Sequence, residues 1–113
     1  MATALKVELA SLRQGDGLTA AFEGRAHEAP VSFFEVDMEE GGNVPLHRHP
    51  YAELWIVADG EVAFTVDGES GPARVGEVVI VPAGIAHCFQ NTGRGRLQMT
   101  CIHASDTFIT EWL

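Results

Sequence analysis

One stretch decides how this chain is read: Gly41-Gly-Asn-Val-Pro-Leu-His47-Arg-His49-Pro-Tyr-Ala-Glu53-Leu-Trp-Ile-Val-Ala-Asp-Gly60. His47 and His49 are two apart, so an extended strand turns both imidazoles to one face. Glu53 follows at another even offset and joins that face once the chain has turned at Pro50. Two neutral nitrogens and one carboxylate oxygen, all aimed inward, are donors suited to a divalent transition metal.

A second block, Gly76-Glu-Val-Val-Ile-Val-Pro82-Ala-Gly84-Ile-Ala-His87-Cys-Phe-Gln-Asn91, brings a fourth candidate ligand, His87. With both blocks in view the sequence resembles the cupin superfamily in its small single-domain form. The first block matches G-x5-H-x-H-x3-E-x6-G at Gly41, His47, His49, Glu53 and Gly60. The second matches G-x5-P-x-G-x2-H-x3-N at Gly76, Pro82, Gly84, His87 and Asn91. No position departs from either pattern.

The resemblance implies a double-stranded β-helix, the jelly-roll barrel, over residues 1–113 as a single domain. It also implies a metal held by His47, His49, Glu53 and His87. Three neutral nitrogens and one anionic oxygen around a divalent ion leave positions open for a ligand, and suit Fe, Mn, Ni, Cu or Zn.

Length and composition agree with one domain. The chain has 113 residues, enough for one core and too few for two. Twelve glycines and five prolines indicate many short elements with tight connections. The net charge is −9, from 16 acidic and 7 basic residues, and the basic ones are scattered. Such a surface repels phosphate backbones and anionic lipids, so neither nucleic acid nor a membrane surface is an expected partner. The longest apolar run, Val78 to Ala86, is broken by Pro82 and Gly84, and residues 1–8 do not read as a signal peptide. The expected location is cytoplasmic. Cys88 and Cys101 are too few for a disulfide framework and are read as reduced thiols.

Turn residues recur every six to twelve positions, which points to an all-β sandwich or barrel. Leu5, Val7 and Leu9 alternate as a strand would, and Leu18–Gly24 and Val31–Glu39 read as further strands. Asp59-Gly60 and Asp67-Gly68 are hairpin signals, with 61–66 as the return partner of 51–58. Residues 86–90 and 97–103 read as the last strands. Only the tail, 106–113, admits a helical reading, and its Phe108, Trp112 and Leu113 are expected on the outer face of the barrel or on another subunit. The resemblance favours the subunit, hence a homodimer.

Parity extends the site. If Glu53 faces in, Trp55 and Val57 follow; if His87 faces in, so does Phe89, and Cys88 faces out. Phe64, Met99, Cys101 and either Phe33 or Phe34 are further pocket candidates. His27 and His103 match no motif position and are read as surface or strand-end residues. The expected function is a metal-dependent small-molecule enzyme of oxygenase, isomerase or cyclase type. Glu53, the only carboxylate that the motifs place there, is a candidate base. The alternatives are a binding or sensing module for a small ligand, or a metal-handling protein without turnover.

Overall fold

The computed structural model describes residues 3–113. Ten strands form two five-stranded antiparallel sheets. In chain order they are β1 (Ala20–Phe22), β2 (Ser32–Met38), β3 (Asn43–Arg48), β4 (Glu53–Asp59), β5 (Glu61–Val66), β6 (Glu69–Arg74), β7 (Val78–Val81), β8 (His87–Asn91), β9 (Leu97–His103) and β10 (Glu111–Trp112). The first sheet runs β1-β2-β9-β4-β7 and the second β10-β3-β8-β5-β6. From β2 to β5 and from β6 to β10 every step changes sheet, which is the jelly-roll arrangement.

Alternation along the strands builds the core. In β4, Glu53, Trp55 and Val57 are buried while Leu54 and Ile56 face outward; in β9, Leu97, Met99, Cys101 and His103 are buried. Those side chains meet Val36, Val62, Ala73, Val81 and Phe89 between the sheets. Trp55, Val62, Leu97 and Met99 have no exposed surface. Asn91 closes one corner: its amide donates to the carbonyls of Met38 and Gly95, and its oxygen accepts from the Gly93 N–H.

Four local readings are corrected. Leu5, Val7 and Leu9 form no strand: all three are exposed, and Leu9–Leu12 is a 3-10 turn. Their alternation faces no partner strand, so it buries nothing. Asp59-Gly60 is not a hairpin, because β4 pairs with β7 and β9 whereas β5 pairs with β6 and β8. It is the corner where the chain leaves one sheet for the other. Gly60 adopts φ 84°, and a Cβ there would lie 2.6 Å from the Arg96 carbonyl oxygen, so the crossing requires glycine. Asp67-Gly68 is a true hairpin, both residues at positive φ between the paired Val66 and Glu69.

The tail is the third correction. It is no helix: β10 adds to the edge of β3, pairing Glu111 with Arg48 and Trp112 with His47. A two-pronged Arg48–Glu111 ion pair, at 2.8 and 3.0 Å, braces it. Its two aromatics differ: Phe108 is half-buried, whereas Trp112 stays 62 % exposed. Phe108 stacks on Phe34 at 4.3 Å and Trp112 leans on His47 at 4.9 Å. The fourth correction, His103, belongs to the site. Among the described residues no helix is long and apolar enough to cross a membrane.

Candidate metal centre

His47, His49, Glu53 and His87 are all buried, and one donor atom from each lies within 4.8 Å of the others. They arrive from both sheets. His47 sits on β3 past a break in its register with β8, and His87 is the first residue of β8. His49 lies just beyond β3, and Glu53 opens β4 in the facing sheet. The two sequence blocks are tied where the Gly84 N–H donates to the His49 carbonyl at 2.7 Å.

Hydrogen bonds settle which nitrogen each ring presents. His47 Nδ1 is 2.7 Å from the Pro45 carbonyl oxygen, His49 Nδ1 2.8 Å from that of Ile109, and His87 Nδ1 2.8 Å from that of Ile85. A carbonyl only accepts, so each Nδ1 carries a proton, and Nε2 is the nitrogen left to turn a lone pair inward toward a bound cation. His49 Nε2 and His87 Nε2 approach Glu53 Oε1 at 3.1 and 3.3 Å. None of these three buried atoms has a hydrogen-bond partner. Unpartnered buried polar atoms are costly, and three converging on one point are what a bound cation would satisfy. The residues present therefore fit a divalent metal ion.

Glu53 Oε2 is held differently. The Trp55 indole N–H donates to it at 2.8 Å, and His103 Nε2 lies 3.3 Å away. Burial pushes the Glu53 pKa up, but His103, His49 and His87 pull it further down, and the carboxyl stays well below the usual carboxylate range. Burial lowers the pKa of His47, against the bond to Pro45. Burial also works on His49, where Glu53 and the Ile109 carbonyl outweigh it and the pKa rises. Burial, then the negative charge of Glu53, pushes the Cys101 thiol up, so it stays protonated.

A cavity of about 270 Å³ opens beside the cage, between the sheets. His47, His49, Glu53 and His103 form its polar end; Phe34, Val36, Met38, Val44, Phe89 and Cys101 wall the rest; Thr110 and Trp112 of the tail stand beside it. No lysine or arginine lines it. A larger depression of about 610 Å³ lies on the outer side of the second sheet, along Ala63, Thr65, Cys88 and Gln90, and contains none of the four cage residues.

The expected pocket residues divide. Phe89 and Cys101 line the cavity; Trp55, Val57, Phe64 and Met99 instead fill the space between the sheets further from it. Of the two phenylalanines, Phe34 lines the cavity while Phe33 stacks on Phe22. His27 also stacks on Phe22, away from the cage. His103 is the miss. It is 2 % exposed and sits against Glu53, not at a surface strand end. Parity held the signal: His103 follows Met99 and Cys101 at even steps on β9.

The cupin-domain family model matches residues 34–103, more than half of the chain, and the chain belongs to that family. Among curated relatives it is 32% identical over 63 residues to polyketide synthase CurC of Streptomyces cyaneus, a match covering 55% of this chain and 41% of that protein. It is 24% identical over 95 residues to the HTH-type transcriptional regulator PuuR of Escherichia coli, covering 84% of this chain and 51% of the regulator. Among solved structures, a Lactobacillus farciminis oxalate decarboxylase formate complex superposes with TM-score 0.79 at 19% identity, over 89% of this chain and 32% of that one. This last likeness is one of fold. The chain spans about half or less of each of these proteins.

Proposed function

We propose that this chain, as one cupin domain, is a metal-dependent enzyme acting on a small organic molecule by oxygenase, isomerase or cyclase chemistry. The observation that carries the reading is the convergence of three partnerless buried donor atoms with His47 at the polar end of an otherwise apolar cavity. A bound divalent ion, of iron, manganese, nickel, copper or zinc, would supply Lewis acidity and, if redox-active, electron transfer. His47, His49 and His87 hold it through Nε2 and Glu53 through Oε1. The backbone carbonyls behind each ring keep the lone pairs aimed, and the apolar walls exclude water from the bound molecule.

The lining sets the class of substrate. With one cation at one end and no lysine or arginine elsewhere, the cavity suits an apolar ring or chain carrying one or two oxygen handles at a single end. Three neutral imidazoles and Glu53 leave a divalent ion only one net positive charge, and no lysine or arginine adds another, so a dianion such as oxalate is disfavoured. Glu53 is assigned as a ligand rather than as the base: Trp55 and His103 engage its Oε2, and its Oε1 faces the His49 and His87 rings. The partial match to polyketide synthase CurC supports a substrate met in polyketide synthesis.

Protein loaded with iron, nickel or copper is offered phenolics and diketones. Product by mass spectrometry, with oxygen uptake for an oxygenase, is the expected result. Ligand-induced melting shifts without any product would instead favour a binding or sensing role, the reading that the similarity to PuuR supports.

The same reading includes a homodimer. On the first sheet Ile80, Leu54 and Ile102 stand side by side across β7, β4 and β9, with Val78 and Ile56 in the next row. These five side chains are uncharged, and the charges of that face, Glu35 and Asp37, lie across Thr100 and Gln98 on β2; on a chain of net charge −9 a second copy meets least repulsion over β4 and β7. Light scattering should give twice 12.2 kDa, and Ile80→Asp should return it to 12.2 kDa; a 12.2 kDa wild type would refute the dimer.

A further inference from the structure

Neither sequence block assigns His103 a task, yet it is buried against the cage. Its Nε2 faces Glu53 Oε2, whereas His49 and His87 face Oε1. Its Nδ1 lies 2.6 Å from the Tyr51 hydroxyl. The Ile109 backbone N–H donates to that hydroxyl at 3.2 Å, so the hydroxyl's own proton is free for Nδ1. With Nδ1 accepting, the ring proton sits on Nε2 and points at Oε2. The other tautomer would set two lone pairs against each other in a buried site.

The three cage histidines are held the opposite way. Their Nδ1 atoms meet carbonyls, so they donate there and present bare Nε2 atoms. The group behind Nδ1 thus sorts four neighbouring imidazoles into three ligands and one donor. His49 Nδ1 also has the Thr110 and Tyr51 hydroxyls at 3.3 and 3.4 Å, but its Ile109 carbonyl is nearer at 2.8 Å; His103 Nδ1 has the Tyr51 hydroxyl at 2.6 Å and no carbonyl.

We propose that His103, oriented by Tyr51, is a positioning residue for the metal centre: together with the Trp55 indole N–H it occupies Glu53 Oε2 and leaves Oε1 alone to bind the ion. This rests on the metal-binding reading above. One-oxygen ligation leaves one more coordination position for an external molecule than two-oxygen ligation would. His103 therefore governs how many positions the substrate finds, without touching the metal.

The test uses the full chain with His103→Phe, His103→Gln, His103→Asn and Tyr51→Phe. A glutamine amide nitrogen donates from about where His Nε2 sits, while the shorter asparagine reaches only the Nδ1 position. Melting of the metal-free forms reports folding. Competition with a chromophoric chelator gives Mn(II) and Cu(II) affinity, and pulsed EPR of the Cu(II) forms counts the coupled imidazoles.

His103→Phe should weaken binding about 10- to 100-fold and alter the Cu(II) spectrum while three imidazoles remain. His103→Gln should recover most of the loss and His103→Asn should not. Tyr51→Phe should weaken binding in the same direction by less. A folded His103→Phe with wild-type affinity and spectrum would overturn the proposal, as would rescue by asparagine equal to that by glutamine. So would the loss of one imidazole coupling in His103→Phe, which would make His103 a ligand. Should the phenylalanine variant not fold, the glutamine–asparagine comparison and Tyr51→Phe decide. A wild type that binds no metal sinks both readings; a binding wild type with indifferent variants sinks this one alone.

Discussion

His49 and Ile109 are sixty residues apart in sequence and joined by a hydrogen bond: the ring Nδ1–H donates to the Ile109 carbonyl oxygen at 2.8 Å. A candidate ligand on one motif is thus aimed by a backbone group that no motif mentions. The C-terminal segment supports the cage from behind and also flanks the cavity through Thr110 and Trp112.

Removal of residues 109–113 should therefore weaken metal binding by about 10-fold or more, through loss of the group that orients His49. Phe108 is kept so that Phe34 and His103 stay covered. Chelator competition on the truncated and full-length chains measures it. Equal affinities would mean that the tail plays no part in holding the ligand.

Trp55 has no exposed surface and gives Glu53 Oε2 its shortest hydrogen bond, 2.8 Å. Trp55→Phe removes a donor to a buried carboxylate and shrinks a ring packed between the sheets. The expected cost is about 2–4 kcal/mol of unfolding free energy. Urea denaturation of the metal-free protein is the measurement, and a loss below about 1 kcal/mol would show that the bond contributes little.

Acid should act on the metal-free fold through Glu53. Burial raises its pKa, His103, His49 and His87 lower it more, and the folded value ends well below the unfolded 4.5. As pH falls, the unfolded chain takes up this proton first. The contribution of Glu53 is thus present above about pH 4.5 and drains away as pH falls from there toward the folded value. The stability gap between wild type and Glu53→Gln, from urea curves at several pH values, should be widest near neutrality and narrow below about pH 4.5. A gap that stays constant with pH would mean that the carboxylate is not held as described.

The buried cluster was legible in the sequence because its four candidate ligands sit at fixed spacings, and strand parity carries the inward set on to Trp55, Val57 and Phe89. What escaped depended on partners far along the chain. Asp59-Gly60 signals a tight turn, but the dipeptide cannot say whether the next strand pairs beside the last or joins the facing sheet; Arg96, packed against Gly60, decides that. Leu5, Val7 and Leu9 alternate with nothing to alternate against. Phe108 is apolar enough to demand cover, yet only the ring of Phe34 shows where it finds it, and only the free edge of β3 shows where the tail docks. Parity along β9 reaches His103, but no motif position falls on it to mark it as part of the site.

Metal analysis of protein purified without an affinity tag, before and after loading and dialysis, tests the whole account most directly. One divalent transition-metal ion per chain should be retained, and His87→Ala and Glu53→Gln should each bring it close to background while the metal-free proteins still melt cooperatively. No retained ion in the loaded wild type, or retention unchanged in a folded His87→Ala, would contradict the claim that these four side chains close around one cation.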